Sequence, residues 1–262
     1  MTMNENELLK FAHELAEKAS KQIIPYFRKP KLEFDVKSGI GSSLQPVTVA
    51  DQSAELAMRD LIQKRYPDHG IVGEEYENIA EENEYVWFLD PIDGTKSFIA
   101  GLPCFGTMIG LTRAKKAILG LIDQPITKDR IWGSPMGAFL NGDLINTKKC
   151  KSIKEAIFAT TDPDMFIGSS KNILQKINKT VKFTRYGTDC WGYAMLAAGY
   201  IDLIIEKDLK PWDTVAAYAI VNASGGSMSG WNGDQNQFSG KICAAGDSNI
   251  HKAIIKILNA KS

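Results

Sequence analysis

The stretch Trp87-Phe88-Leu89-Asp90-Pro91-Ile92-Asp93-Gly94-Thr95 runs from apolar residues straight into two carboxylates, a proline, a glycine and a threonine. Tyr85 to Leu89 has the length and aromatic content of a buried strand. Pro91 cannot donate a ladder hydrogen bond, so the strand is expected to end near Asp90. Beyond it, Asp90 and Asp93 offer hard oxygen ligands, and a turn at Pro91 would bring the Ile92 carbonyl to the same cation, a donor set that suits Mg²⁺. Gly94 permits close backbone approach. If Thr95 opens a helix, its free N–H groups point at a phosphate beside the metal. Taken alone, the same residues also describe an ordinary strand-to-turn junction, because Asp, Pro and Gly are common turn formers. The spacing is not that of an EF-hand loop, and it is one residue longer than an aspartyl-phosphate motif of the Asp-x-Asp-Gly-Thr kind.

Composition narrows the function classes. The 262 residues suffice for one large or two closely joined domains, and 44% hydrophobic with 24% charged residues is an ordinary soluble globular balance. Lys+Arg and Asp+Glu both number 31, which argues against a nucleic-acid protein with its usual basic excess. An anionic substrate would then need a local positive source, and bound cations supply one. Cys104, Cys150, Cys190 and Cys243 are widely spaced without a C-x-x-C pair, so free thiols in a reducing cytosol are expected rather than zinc or disulfides. The first residues show no signal-peptide pattern and no run reaches transmembrane length, so a cytoplasmic protein without a membrane partner is expected.

Periodicity places the remaining candidates. Leu8, Ala12, Leu15, Ala19, Ile23 and Phe27 mark a first helix over Asn4 to Arg28, which Pro25 should kink or end. Lys31 to Pro46 is polar, with Ser38 to Ser43 at its centre, and is expected to be a mobile loop or loose hairpin. Lys37 within it reads as a solvated residue or a phosphate contact, with the solvated role expected. Asp51 to Tyr66 is a second helix, with Thr48 or Asp51 at its cap. Ile71-Val72-Gly73 delivers Glu74 and Glu75, of which only one would face a metal unless the backbone turns there. Lys96 to Gly101 should form a short helix, and Thr107 to Thr112, Ala117 to Asp123, Arg130 to Gly133 and Ala138 to Asn141 an antiparallel sheet. After the polar segment Lys148 to Glu155, helices over Ser169–Thr180, Cys190–Gly199, Asp213–Ala223 and Asp247–Asn259 alternate with strands at Val181–Thr184, Leu203–Glu206 and Ile242–Ala245. Asp213, read by itself, is a helix cap or dipole partner.

Four ordered stretches cover most of the chain: Pro46-Val47-Thr48-Val49-Ala50-Asp51, Gly73-Glu74-Glu75, Trp87 to Thr95, and Pro211-Trp212-Asp213 running into Asn222-Ala223-Ser224-Gly225-Gly226. In order and spacing they resemble the inositol monophosphatase family of Mg²⁺-dependent, typically lithium-sensitive phosphomonoesterases. The resemblance implies an α+β / α/β chain folded as a layered αβαβα sandwich of the inositol monophosphatase and fructose-1,6-bisphosphatase type. Residues 1–148 would form an α+β half carrying the metal site, and residues 149–262 an α/β half completing the substrate pocket. A homodimer and a flap over the site, placed in the Lys31 to Pro46 segment, are also implied.

The same resemblance assigns roles. Glu74, Asp90 and the Ile92 carbonyl would hold one cation, Asp90, Asp93 and Asp213 a second, and Glu75 would position water or a third, giving two or three Mg²⁺ per site. Thr95 and Asp51 would orient the attacking water, with Glu74 beside them. Gly94 and Thr95 would bind the phosphate through their N–H groups. Asp189 and Glu206 would line the substrate pocket. Thr95 to Pro103 and Glu206 to Asp213 look most like the histidinol-phosphate phosphatase branch, whose action serves histidine biosynthesis, although Thr188 departs from that branch's Gly-Gly-Asp-Cys. Alternatives are myo-inositol 1-phosphate, with Glu206 accepting ring hydroxyls, and a regulatory module that uses the fold to bind a protein or RNA. Other hydrolytic designs lack their parts: there is no G-x-S-x-G, no H-E-x-x-H and no complete P-loop around Ser239-Gly240-Lys241, and His13, His69 and His251 share no pattern.

Overall fold

The computed structural model describes residues 5–38 and 44–260. α1 (Glu5–Ile23) buries Leu8, Phe11, Ala12, Leu15, Ala16, Ala19 and Ile23 on one side, the stripe that the 3.6-residue period requires. It stops where Pro25 enters a short 3₁₀ turn, Ile24–Tyr26, because proline lacks the next helical donor. The polar segment that follows contains an antiparallel hairpin, β1 (Phe34–Ser38) with β2 (Gln45–Thr48). Residues 39–43, the centre of the expected loop, lie outside the described residues. α2 (Val49–Arg65) then begins at a Thr48 cap.

β3 (Gly70–Gly73) and β4 (Tyr85–Asp93) precede the short α3 (Thr95–Ile99), and β5 (Gly106–Arg113), β6 (Lys116–Gln124), β7 (Asp129–Ser134), β8 (Gly137–Leu140) and β9 (Asp143–Ile145) follow it. These strands pair in sequence order into a seven-stranded sheet, β3 parallel to β4 and the rest antiparallel. The next elements are β10 (Ile157–Thr160), α4 (Ser169–Asn178), β11 (Phe183–Tyr186), α5 (Asp189–Ala197) and β12 (Leu203–Lys207). α6 (Pro211–Ala223), β13 (Ser227–Gly230), β14 (Lys241–Ala245) and α7 (Ser248–Leu258) complete the described chain. Their five strands run in the order β11-β10-β12-β14-β13, with β10 parallel to both of its neighbours and β14 antiparallel to both of its own. β10 and β13 have no counterpart in the sequence reading, since their small and polar members, Ala159, Thr160, Ser227 and Ser229, dilute the apolar signal.

Strand alternation builds the layers, because successive side chains leave a strand on opposite faces. Trp87, Leu89, Ile109, Leu111, Leu119 and Leu121 pack against α1 and α2. From the other face of that sheet, Met108, Ile122 and Ile131 meet α5 and α6. Ala159, Ile204, Ile242 and Ala244 of the second sheet face the same two helices. Their neighbours Phe158, Leu203, Ile205, Cys243 and Ala245 pack outward with α4 and α7. The result is the layered αβαβα sandwich, with α5 and α6 as its middle slab.

α6 lies so close to the large sheet that two strand glycines cannot carry a side chain. An added Cβ at Gly120 would stand 2.1 Å from the Ala216 carbonyl oxygen, and one at Gly133 2.5 Å from the Ile220 Cα. Both obstacles are helix backbone, so relief requires moving α6, whose first turn carries Asp213. Gly120→Ala is expected to destabilise the protein by about 1–3 kcal/mol or more, the usual cost of overpacking. Urea unfolding checks this, and an unchanged midpoint would contradict the close approach.

Candidate active site

β4 does not end at Asp90 as expected but continues to Asp93. Its register against β5 slips between Asp90, opposite Met108, and Asp93, opposite Gly106. Three steps on one strand therefore face two on the other, a β-bulge that lodges Pro91 where a ladder bond is already missing. The bulge lets two aspartates in one strand serve one place. α6 brings the third, and one oxygen each from Asp90, Asp93 and Asp213 lies within 4.8 Å of the others.

These carboxylates repel. Asp90 is 2% exposed, and among the described residues its Oδ1 has no hydrogen-bond partner. Burial, then the charges of Glu74, Asp93 and Asp213, pushes the Asp90 carboxyl well above its ordinary range. Burial, then Asp189 and Asp213, does the same to Asp93, against a Cys190 N–H that donates to it. Asp213 is pushed up to about 7, with burial again the largest cause. An orphaned buried oxygen amid hard anionic donors fits a divalent cation of the Mg²⁺ type. Asp93 and Asp213 remain partly open to solvent, which gives such an ion a way in.

Two of the candidate aspartates also hold helix caps, the role that each one's place at a helix start suggests by itself. Asp213 accepts from the Lys210 N–H at 2.7 Å. Asp51 closes a capping box, its Oδ2 accepting from the Thr48 N–H at 2.8 Å and the Thr48 hydroxyl at 2.5 Å. Its Oδ1 faces the Thr95 hydroxyl at 3.3 Å, and that hydroxyl also lies 3.1 Å from the Ile92 carbonyl oxygen. Burial pushes Asp51 up to about 6. Gly94 takes a left-handed φ of 88° as the residue before α3, and Thr95 is the first residue of that helix.

Glu74 and Glu75 emerge where β3 ends. Both reach the same ammonium: Lys37 Nζ lies 3.0 Å from Glu74 and 2.6 Å from Glu75. Strand alternation would have sent the two acids to opposite faces, but the backbone bends at 74–76. This corrects the expectation that Lys37 is merely solvated. Burial pushes Glu75 up to about 7, and Glu74 shares in raising Asp90, Asp51 and Asp213. The structure therefore groups Asp90, Asp93 and Asp213 most tightly, with Glu74 as a close charged neighbour turned toward Lys37.

The two proposed pocket carboxylates differ sharply. Asp189 accepts from the Ser97 hydroxyl at 2.9 Å. Its Cγ stands 2.9 Å from where a Gly94 Cβ would be, which places it against the bend after β4. Its φ of 44° is a left-handed conformation uncommon outside glycine, and burial pushes its carboxyl up to about 6. Asp189 opens α5 without capping it, since the carboxylate bonds a side chain. Glu206 is only 2% exposed. It accepts from the Thr161 N–H at 2.8 Å, the Thr161 hydroxyl at 2.7 Å and the Tyr193 hydroxyl at 2.7 Å. Glu206 thus ties the end of β10 to β12 and α5, with Oε1 taking both Thr161 bonds and Oε2 only that of Tyr193.

Sequence reasoning missed Ser97, Thr161, Tyr193 and the Cys190 amide, because their importance lies in partners 13 to 97 residues away. The histidines serve packing: His13 faces Arg130, His69 accepts from the Trp87 indole, and His251 pairs with Ser229.

The sequence profile of the inositol monophosphatase family matches residues 4–262. The chain is 40% identical over 272 aligned positions to a protein named bifunctional phosphatase IMPL2, chloroplastic, from Arabidopsis thaliana, covering 98% of this chain and 77% of that one. It is 30% identical over 249 positions to a protein named histidinol-phosphatase from Chlorobaculum parvum, covering 94% and 95%. An inositol monophosphatase structure from Zymomonas mobilis superposes with a TM-score of 0.86 at 33% identity, covering 98% of this chain and all of that one.

The buried acids give a pH test of the metal-free chain. Asp213 and Asp51 hold protons up to about 7 and about 6 in the fold, against about 3.9 when unfolded. Folding thus favours their protonated forms, and that stabilisation, complete below the unfolded value, is lost as pH rises through 6–7. In chelator, Tm is expected to fall between pH 5 and pH 8, and added Mg²⁺ to raise it most at the upper end. A flat Tm across that range would remove the frustrated-carboxylate account.

Proposed function

The chain belongs to the inositol monophosphatase family and is a phosphoric monoester hydrolase, and we propose that it converts histidinol phosphate to histidinol and phosphate in a Mg²⁺-dependent reaction. The observation that carries the substrate is Asp189, a carboxylate held by Ser97 beside Gly94 rather than used as a helix cap. Histidinol phosphate presents an ammonium and an imidazole, and a charge-assisted bond to an ammonium is stronger than one to a neutral hydroxyl. Resemblance to the histidinol-phosphatase from Chlorobaculum parvum supports the same choice. Inositol 1-phosphate is favoured less, because Glu206, the intended acceptor for its ring hydroxyls, is occupied internally. A purely regulatory module would have less use for three converging aspartates, one of which buries an oxygen with no hydrogen-bond partner among the described residues.

Asp90, Asp93 and Asp213, with Glu74, Glu75 and the Ile92 carbonyl around them, are the residues we assign to two or three Mg²⁺. Such ions, when bound, neutralise the ester dianion and make water a better nucleophile. The chain's own groups then divide the remaining work. Gly94 and Thr95 hold the phosphate through N–H groups at the start of α3. Thr95 Oγ1 shares its one proton between Ile92 O and Asp51 Oδ1, which leaves its lone pairs to accept a hydrogen bond from the attacking water. Asp51, with a proton affinity raised by burial, can receive a proton passed through that hydroxyl.

Phosphate release is expected to stop on chelation, to return with Mg²⁺, and to be inhibited by Ca²⁺ and lithium. Full activity in excess chelator would end the metal assignment.

The substrate assignment has its own test. Asp189→Asn keeps an acceptor for Ser97 but removes the charge, so kcat/KM for histidinol phosphate should fall by about tenfold or more, roughly 1.4 kcal/mol. Inositol 1-phosphate should lose much less. Steady-state kinetics on both esters decide between them, and equal losses would reject the histidinol-phosphate reading.

A further inference from the structure

We propose that Glu55 and Arg59 of α2 are positioning residues that clamp the Glu74–Tyr76 bend and so set the metal affinity of Glu74 and Glu75; this rests on reading those acids as metal ligands. Both are buried, at 0% and 4% exposure, and Arg59 Nε lies 2.7 Å from Glu55 Oε1. After Gly73 the chain leaves the ladder, and its backbone needs new partners. The ion pair provides them. Glu55 Oε2 accepts from the Glu75 N–H at 2.8 Å, and Oε1 from the Tyr76 N–H at 3.3 Å. Arg59 donates to the Tyr76 carbonyl at 3.0 Å and the Glu77 carbonyl at 2.9 Å. Gly73 lets the two approach, because a Cβ there would stand 2.2 Å from Glu55 Oε1 and 2.8 Å from an Arg59 nitrogen.

A buried ion pair is a poor source of net stability, and apolar residues of similar volume often serve as well. What an apolar pair cannot do is accept two and donate two backbone hydrogen bonds to one bend. Asp51, Glu55 and Arg59 recur every four residues on one face of α2, about 6 Å of axial rise between successive members. A single rigid helix therefore sets the Thr95 side of the site, through Asp51, against the Glu74–Glu75 side, through Glu55. Groups that hold metal ligands by hydrogen bonds commonly govern affinity by about ten- to a hundredfold when removed.

The test is Mg²⁺ titration calorimetry on metal-free wild type and on the double variant Glu55→Leu/Arg59→Met, with amide exchange at Glu75 and Tyr76 as a second readout. The variant is expected to keep its circular dichroism, to bind Mg²⁺ about tenfold or more weakly, and to exchange both amides faster. Its half-saturating Mg²⁺ for phosphate release should rise in step, with kcat at saturating Mg²⁺ within about threefold. Should the double variant unfold, Glu55→Gln, which keeps the shape and one acceptor, and Gly73→Ala, which displaces the bend while leaving α2 intact, must show the same weakened binding. A folded variant that binds Mg²⁺ as tightly as wild type, or keeps both amides protected, overturns the proposal. Wild type that binds no Mg²⁺ overturns the metal reading beneath it, a distinct result.

Discussion

Mutual repulsion among Asp90, Asp93 and Asp213 is the constraint around which this molecule is built. Three carboxylate oxygens within 4.8 Å of one another, beside an Asp90 Oδ1 that is buried without a hydrogen-bond partner among the described residues, are unfavourable in any protein that leaves them uncompensated. They are held together by one strand of the large sheet and the two middle helices: the bulged β4, the first turn of α6, and the Cys190 amide at the start of α5. Each holds its acid by a contact that a local rearrangement would have to break. The apolar packing on both faces of each sheet supplies the stability against which this strain is set.

The middle helical slab links packing to chemistry. α5 and α6 are covered by apolar residues from both sheets, and glycines in β6 and β7 let α6 settle directly on strand backbone. That depth places Asp213 beside the β4 bulge. It also aligns α5 so that one of its first residues holds Asp93 through its amide while Asp189 reaches Ser97. The Asp189–Ser97 contact and the acidic cluster thus depend on the same pair of helices, and a shift of either helix would disturb both.

Several of these carboxylates hold a helix cap and also face the centre of the acidic cluster or its neighbours. Asp51 gives Oδ2 to the Thr48 cap and Oδ1 to Thr95. Asp213 satisfies the Lys210 amide and still offers an oxygen to the cluster. Helix termini have orphan N–H groups in any case, so a carboxylate that caps one is already oriented by the time it meets a substrate or ion. For such residues a cap does not exclude a second role, because the capping hydrogen bond fixes where the carboxylate stands.

The sequence alone determined most of the elements, the acids that converge and the family, because these depend on local patterns: apolar periodicity, capping residues, and short motifs that keep acids, prolines and glycines at fixed spacing. That Asp90, Asp93 and Asp213 would come together was legible in this way. Tertiary structure decided what depends on distance through space. It carried β4 past Pro91 by a bulge, since proline rules describe a regular ladder and not an interrupted one. Lys37 was brought onto Glu74 and Glu75 across separate elements, and Glu206 was sealed among Thr161 and Tyr193 while Asp189 stayed beside Gly94. Nothing in the neighbours of either acid distinguishes them. Whether a carboxylate is spent on internal donors or left for a substrate is set by which strands and helices pack around it, and that is fixed only when the layers close.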